Sequence, residues 1–394
     1  MGQRINLIFM GHFTYPYGMA GTKRIQHAID ALKNEQDVFV RVVVLRQLNC
    51  DSCSGWHKDV TYYIVMGALS RFKLLFLFPV LFFKAYCYLR QCKRNDCKNI
   101  IYHYGPVTLE NLVPLYLARH LGYRIIFDIV EDYDVADIVS QSFWHAIRIG
   151  GIKKLRPRMR DIASGFIVIS SHLDKKYQVF TEGKVPIHYR PISIDMAWFL
   201  AKSSSQMNNT VTLFYAGSFG QKDGLIELLD AFDNLAAKRD TVHLVLSGCG
   251  NNEAMKKFFA RVEASPFKDR IEYKGYLDDD DYYDLLNLSD IHCMIRIDVA
   301  YAHAGFPFKL GEYLASGKPV IATRVSDVER FLVNKESAML VEPGDKEGIV
   351  NAAEYLIDNP TAASRIGQRG RNVAFSHFDH ITQGKFLLSF MKKL

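Results

Sequence analysis

The chain has 394 residues, 49% hydrophobic and 23% charged, with a formal net charge of +7. This composition excludes a disordered or fibrous chain, and the length suffices for two ordinary domains with separate cores. The mild positive excess favours anionic partners without choosing among nucleotides, anionic lipid and nucleic acid.

Ile5-Asn-Leu-Ile-Phe-Met leads into Gly11 as a first core strand. A secretion signal is not expected there, because no basic region precedes an apolar stretch and a small-residue cleavage site. Next comes Tyr15-Pro-Tyr-Gly-Met-Ala-Gly-Thr-Lys-Arg, with a helix expected to start near Gly21. Gly18 and Gly21 permit close backbone approach; Lys23 and Arg24 either meet phosphate or face solvent. Cys50 and Cys53 form a Cys-x-x-Cys pair, but no second pair stands at zinc-ligand spacing, so no metal site is expected. An odd count of seven cysteines points to free thiols in a reducing, cytoplasmic setting.

Leu74-Leu-Phe-Leu-Phe-Pro-Val-Leu-Phe-Phe is uncharged over ten residues, too short to cross a bilayer. Arg71, Lys73, Lys84, Arg90, Lys93, Arg94 and Lys98 surround it. The segment 71–98 therefore reads either as a helix lying in a membrane interface or as a core helix with a basic outer face.

Strands in the first half are expected at 5–10, 38–45, 99–104, 124–129 and 165–170. Those of the second half are expected at 211–216, 243–247, 270–274, 291–297, 320–323 and 339–341. Continuous apolar runs alternating with amphipathic helices mean parallel sheets covered on both faces. The fold class is α/β: two Rossmann-like, doubly wound lobes facing a central cleft. Polar residues 201–210 form the linker, and the domains are expected at 1–195 and 206–375, with a final helix, 376–394, packing back on the first.

Two acids, Asp128 and Glu131, close the strand 124–129, joined by Asp132. They could orient acceptor hydroxyls or take a proton, or equally cap the next helix. His103, after the preceding strand, is a further candidate, although a lone histidine is more often structural.

The run Ala304-Gly-Phe-Pro-Phe-Lys-Leu-Gly-Glu-Tyr-Leu-Ala-Ser-Gly-Lys-Pro-Val-Ile-Ala-Thr carries the densest chemistry. Pro307 is expected in a first helical turn and Gly317 and Pro319 end the helix. Leu310, Tyr313 and Leu314 face a core, while Lys309, Glu312 and Ser316 share another face. Free N–H groups at the helix start, with Lys309, suit a diphosphate; Glu312, one turn on, suits the vicinal hydroxyls of a ribose. The same pair also reads as a solvated ion pair at i, i+3.

This run resembles the donor-binding signature of retaining GT-B glycosyltransferases, the large family four of that class (glycosyl transferases group 1). The resemblance implies that Glu312 contacts the nucleotide ribose, with Gly305, Phe306 and His303 at the donor. The family's second glutamate, eight positions earlier, is replaced here by Ala304. Tyr215-Ala-Gly-Ser-Phe-Gly-Gln-Lys-Asp-Gly resembles the family's diphosphate turn, with Ser218 at the usual arginine position and Lys222 one place from the usual lysine, where Asp223 stands. Leu246-Ser-Gly-Cys-Gly resembles its Gly-x-Gly turn, and Tyr273-Lys-Gly-Tyr-Leu its base-reading segment, which implies Tyr276 and Leu277. Arg296, closing the strand 291–297, suits a phosphate or a carboxylate of another helix. Val130 aligns with a histidine found in many relatives, and Gly18 and Gly21 with the loop beneath the donor phosphates.

The resemblance implies a glycosyltransferase moving a sugar, with retention, from a UDP-, GDP- or other nucleotide-sugar to a glycan or lipid-linked acceptor in surface polysaccharide assembly. It implies no cofactor, metal or nucleic acid partner, and a cytoplasmic site with peripheral contact to the inner face of a membrane. A sugar-nucleotide epimerase of the same architecture and a non-catalytic nucleotide-sugar-binding scaffold stay open as alternatives. A dinucleotide oxidoreductase fits poorly, for no Gly-x-Gly-x-x-Gly opens either lobe with an acid about twenty residues on.

Overall fold

The computed structural model describes residues 3–47, 54–67, 71–135, 143–200, 210–220 and 222–394. Cys50, Cys53 and residues 201–209 of the linker lie outside the described residues, as do the side chains of Arg71 and Lys73. The chain divides into two compact units: Met1–Pro191 with His380–Leu394, and Ile192–Asp379. The division falls at 191 and 379, a few residues from the sequence boundaries at 195 and 375. The first of these units takes the last helix.

In unit 1 the elements are β1 (Ile5–Gly11), α1 (Ala20–Leu32), β2 (Val38–Arg46), β3 (Ser54–His57), β4 (Val60–Met66), α2 (Arg71–Cys92) and β5 (Lys98–Tyr104). They continue with α3 (Leu109–His120), β6 (Arg124–Ile129), α4 (Phe143–Leu155), α5 (Met159–Ile162), β7 (Ala163–Val168), α6 (Ser171–Thr181) and β8 (Ile187–Tyr189). The sheet order is β3-β4-β2-β1-β5-β6-β7-β8, with every pairing parallel except β3 to β4. The hairpin β3–β4 and the short β8 were not expected, because half-exposed, mixed segments give no continuous apolar run. All seven residues of β1 are buried, as a central strand covered on both faces requires.

Unit 2 contains α7 (Ala197–Leu200), β9 (Val211–Gly217), α8 (Leu225–Lys238), β10 (Val242–Gly248), α9 (Asn252–Glu263), β11 (Ile271–Tyr273), α10 (Asp279–Leu288) and β12 (Ile291–Met294). Then follow α11 (Ala300–Ala304), α12 (Phe308–Ala315), β13 (Val320–Thr323), α13 (Val328–Phe331), β14 (Met339–Val341), α14 (Lys346–Asp358) and α15 (Pro360–Phe378); the chain ends with α16 (His380–Lys393), which belongs to unit 1. The sheet is wholly parallel, in the order β11-β10-β9-β12-β13-β14. The expected last helix, 376–394, is thus two: α15 stops at Phe378 and α16 restarts at His380 to lay Leu387, Leu388, Phe390 and Met391 into the core of unit 1.

Both sheets reverse direction once. In unit 1 the chain winds outward from β1 and returns to β5 on the other side; in unit 2 it winds outward from β9 and returns to β12. Open parallel sheets bind ligands beyond the carboxyl ends of the two strands flanking such a reversal. In unit 1 those strands end at Gly11 and Tyr104, and in unit 2 at Gly217 and Met294.

Candidate functional site

The loops that follow β9 and β12 meet at the reversal in unit 2. Gly224 N–H donates to the Ile295 carbonyl and Ile297 N–H to that of Lys222, so the two loops are pinned backbone to backbone. Gly248, at φ 120°, lies so close to the Gly217 carbonyl that an added Cβ would sit 1.9 Å from its oxygen, which only glycine allows. A Cβ on Gly217 would come within 2.9 Å of Lys309 Nζ, so this glycine keeps the lysine's path open.

Two cations, Lys309 and Arg296, act here on one carboxylate, with a third, Lys222, in the same loop. Lys309 Nζ lies 3.4 Å from Asp223 Oδ1 and 3.8 Å from the centre of the Tyr215 ring. Arg296 is 6% exposed, and its Nε and Nη1 have no hydrogen-bond partner among the described residues. Its backbone N–H is fixed by the Thr323 hydroxyl at 2.9 Å. Lys222 extends over the Tyr301 ring, at 4.8 Å. Burial alone would raise the Asp223 carboxyl; Lys309 and Arg296, with Gly220 N–H and the Ser218 hydroxyl, override it and hold the group far below the usual range. Burial pushes Lys309 down to about 8, against the pull of Asp223, and likewise lowers Arg296. Two guanidinium N–H groups left unsatisfied in a buried place, with positive charge in excess, suit a multiply charged anion.

The structure amends several expected roles around this cluster. Ser218 donates to Asp223 at 2.9 Å, so it orients a carboxylate. Asp223, which stands where relatives place a lysine, is instead the counter-ion of Lys309. Pro307 precedes α12 as its N-cap, with Phe308 the first helical residue. Glu312 is buried: Tyr282 donates to Oε2 at 2.8 Å and Tyr283 to Oε1 at 3.2 Å. Ser316 is spent on the end of its own helix, bonding the Tyr313 carbonyl and Lys318 N–H. Phe306 packs into the core against Phe331 and Phe378, leaving only its backbone near the helix start; Gly305 caps α11 in extended geometry. His303 is occupied by Asp298 at 2.6 Å and by Ser326 N–H at 3.3 Å. Tyr276 is exposed and Leu277 half-buried, on a turn whose Gly275 carbonyl accepts from Gly248 N–H and the Ser247 hydroxyl.

In unit 1 the expected acids separate. Asp128 is fully buried and bidentate to Arg24, at 2.7 and 2.9 Å, and also accepts from the Tyr102 hydroxyl at 2.5 Å. Arg24, expected at phosphate or solvent, is the buried partner of this ion pair. Asp128 is therefore the counter-ion of Arg24, and it also lines the pocket that holds Glu131. Asp132 is taken by Lys176 and His172. His103 is buried, donates Nδ1–H to the Met10 carbonyl at 3.1 Å, and burial pushes its pKa down to about 3, so the ring stays neutral at ordinary pH. Gly18 and Gly21 make room for the chain's own side chains, Thr14 and Thr22 in one case and Tyr104 in the other. Glu131 lines a pocket of about 390 Å³, open mouth included, with Val107, Ile129, Val130, Tyr133 and Tyr177. Sequence reasoning missed His12, Arg46 and Glu110, which gather at the reversal in unit 1; their positions just past strand ends were the available signal.

Among the described residues no three His, Cys, Asp or Glu side chains gather as a metal site, and no helix is long and apolar enough to cross a membrane. In α2, Leu81, Ala85, Leu89 and Cys92 are buried on one side, while Phe76, Val80 and Phe83 are exposed on the other beside Lys84 and Arg90.

Residues 198–373 match the family model for glycosyl transferases group 1. A mannosyltransferase of Mycolicibacterium hassiacum, named MMP alpha-(1->4)-mannosyltransferase, is 24% identical over 193 residues, 49% of this chain and 44% of its own. The phosphatidyl-myo-inositol mannosyltransferase of Mycobacterium leprae is 26% identical over 155 residues, 39% of each chain. The matches thus span less than half the length of these relatives. Sucrose-phosphate synthase from Thermosynechococcus elongatus shares the fold at a TM-score of 0.76 and 15% identity, covering 99% of both chains. HepE of Anabaena, solved in complex with UDP, does so at 0.71 and 13%, covering 99% of this chain and 100% of its own. The chain accordingly has the two Rossmann-like lobes of the GT-B fold, and its residues 198–373 carry the pattern of the glycosyl transferases group 1 family.

Proposed function

We propose that the chain is a glycosyltransferase that takes a sugar from a nucleotide-diphosphate donor and passes it to a glycan or lipid-linked acceptor. The observation that carries this reading is the pair Arg296 and Lys309 on the single carboxylate of Asp223, with two buried Arg296 N–H groups unpartnered among the described residues. A diphosphate supplies the oxygens those donors lack, and in this reading Glu312, held between two tyrosines, accepts from a ribose. As the bond between sugar and phosphate breaks, charge grows on the departing phosphate, and fixed cations in a water-poor place stabilise that charge best. Retention and a role in surface polysaccharide assembly are drawn from the family and from relatives such as the capsular polysaccharide glycosyltransferase CapM of Staphylococcus aureus, 24% identical over 211 residues.

A thermal-shift panel of nucleotide diphosphates and their sugars tests the donor. At a hundred times its dissociation constant a ligand adds ~2.7 kcal/mol, so a panel in which no nucleotide stabilises the chain refutes the reading. Peripheral contact with an anionic membrane through the exposed face of α2 belongs to the same proposal, since an apolar stripe edged by lysine and arginine suits that surface. Phe76→Ser with Phe83→Ser should abolish sedimentation with phosphatidylglycerol vesicles; equal sedimentation of variant and parent would exclude it.

A further inference from the structure

Unit 1 has a hollow of its own, beyond the carboxyl ends of β5 and β6, lined by residues 105–107 and 129–131. Val107, Ile129, Val130, Ile152 and Met159 give it apolar walls. At about 390 Å³, open mouth included, it is near the lower end of small-ligand pockets, roughly 300–1,000 Å³. Two polar groups of the lining residues lack partners. Tyr177, in α6, is 5% exposed, and its ring packs on Phe166 and Phe180. Its hydroxyl makes no hydrogen bond among the described residues yet stays open to solvent, so it points into the hollow that Tyr177 lines. Arg156, just after α4, gives Nη1 to Asp134 at 2.5 Å, while its Nε is buried with no hydrogen-bond partner. Burial pushes the Tyr177 phenol up, against the pull of nearby Arg156, so it stays a proton donor at ordinary pH.

A buried tyrosine hydroxyl ordinarily finds a partner, and one left without on a cavity wall marks the place of a ligand atom. A phenol and a guanidinium N–H both call for an acceptor, which an ammonium group lacks. An anion is disfavoured, because Arg156 is already neutralised by Asp134, Asp128 belongs to Arg24, and Glu131 leaves the lining negative. A hydroxyl accepts, but between apolar walls its own proton would go unmet. A carbonyl has no proton to satisfy, and an alkyl group beside it fills the apolar space. An amide adds an N–H, for which Glu131 is the acceptor on the same wall.

We propose that this pocket of unit 1 binds an acetamido sugar, the methyl group against the apolar wall and the carbonyl accepting from the Tyr177 hydroxyl. The site lies within unit 1 alone, and it holds whether or not unit 2 takes a nucleotide.

Two measurements on the full chain test it. In saturation-transfer NMR with N-acetylglucosamine, the acetyl methyl should receive the strongest transfer, and glucose and the cationic glucosamine should bind about tenfold more weakly or not at all. Tyr177→Phe removes only the hydroxyl, so the urea midpoint should stay at the parent value while the affinity for N-acetylglucosamine falls roughly three- to tenfold. Val130→Trp, which fills the hollow from a half-exposed position, should abolish binding. No transfer to the methyl, equal affinity for the three sugars, or equal affinity of parent and Tyr177→Phe would overturn the proposal. So would displacement of the sugar by excess nucleoside diphosphate, which would put it at Arg296 and Lys309 instead. A parent chain that binds the sugar but no nucleotide would count against the donor reading and leave this one standing.

Discussion

Lys309 gives the sharpest test of the anion site because its charge is titratable within reach of ordinary buffers. Burial holds its ammonium at about 8, well below the usual lysine value. A diphosphate requires the protonated form, and the bound anion keeps it protonated. Affinity therefore weakens by a factor of 1 + 10^(pH − 8): little change below pH 7, and roughly elevenfold, or ~1.4 kcal/mol, by pH 9. Stability of the free chain moves the other way. Between about 8 and the usual lysine value the unfolded chain binds more protons than the folded one, so the fold gains stability as pH rises through that window. Lys309→Met removes a charge-assisted contact worth ~1.5–3 kcal/mol, a loss of about 10- to 150-fold in affinity. It should also flatten the pH dependence, whereas Lys309→Arg should flatten it and keep the affinity. Isothermal titration of the stabilising nucleotide between pH 6.5 and 9.5 measures all three. An affinity for the parent that is level from pH 7 to 9, or a fall of equal size in Lys309→Met, would refute the reasoning.

Three other outcomes follow from the same geometry. Asp128→Asn leaves Arg24 charged and buried without its counter-ion, so urea denaturation should report a loss of ~3–5 kcal/mol; a variant of unchanged stability but reduced rate would return Asp128 to catalysis. Glu312→Ala should weaken nucleotide binding ~10- to 100-fold, and it removes the charge-assisted hydrogen bonds from Tyr282 and Tyr283 at ~1.5–3 kcal/mol each, so calorimetry should find both effects together. His103 and His292 are buried neutral and held at about 3. Their unfolded forms gain protons below about 6.5, so stability falls as pH drops through that value toward 3. By pH 5 each costs its own unit ~2 kcal/mol; denaturation midpoints that agree at pH 7 and pH 5 would rule this out.

How much of this was legible in the sequence depends on whether a residue's role is set by its local position or by a partner far along the chain. The parallel sheets and the helix carrying Lys309 and Glu312 follow from period, glycine and proline, all local signals. The edge hairpin β3–β4 does not, since half-exposed strands lack the continuous apolar run of a buried one. Partnerships are worse: Arg24 and Asp128 are 104 positions apart, and nothing local tells an arginine beside a glycine turn that its carboxylate lies five strands later in the chain order. The same blindness hid the arginine partner of Asp128 and left Asp223 looking like a defect in a phosphate turn. Asp223 is better understood together with Lys309. With a carboxylate where relatives place a lysine, the turn gives up a cation, and Lys309 and Arg296 restore positive charge from two other elements of the same unit. Under the proposed function, charge that is moved rather than lost still serves a diphosphate, while Asp223 gives the buried ammonium a partner. An unpartnered ammonium at that depth would shed its proton, so the carboxylate that seems to spoil the turn is what keeps Lys309 charged enough to bind.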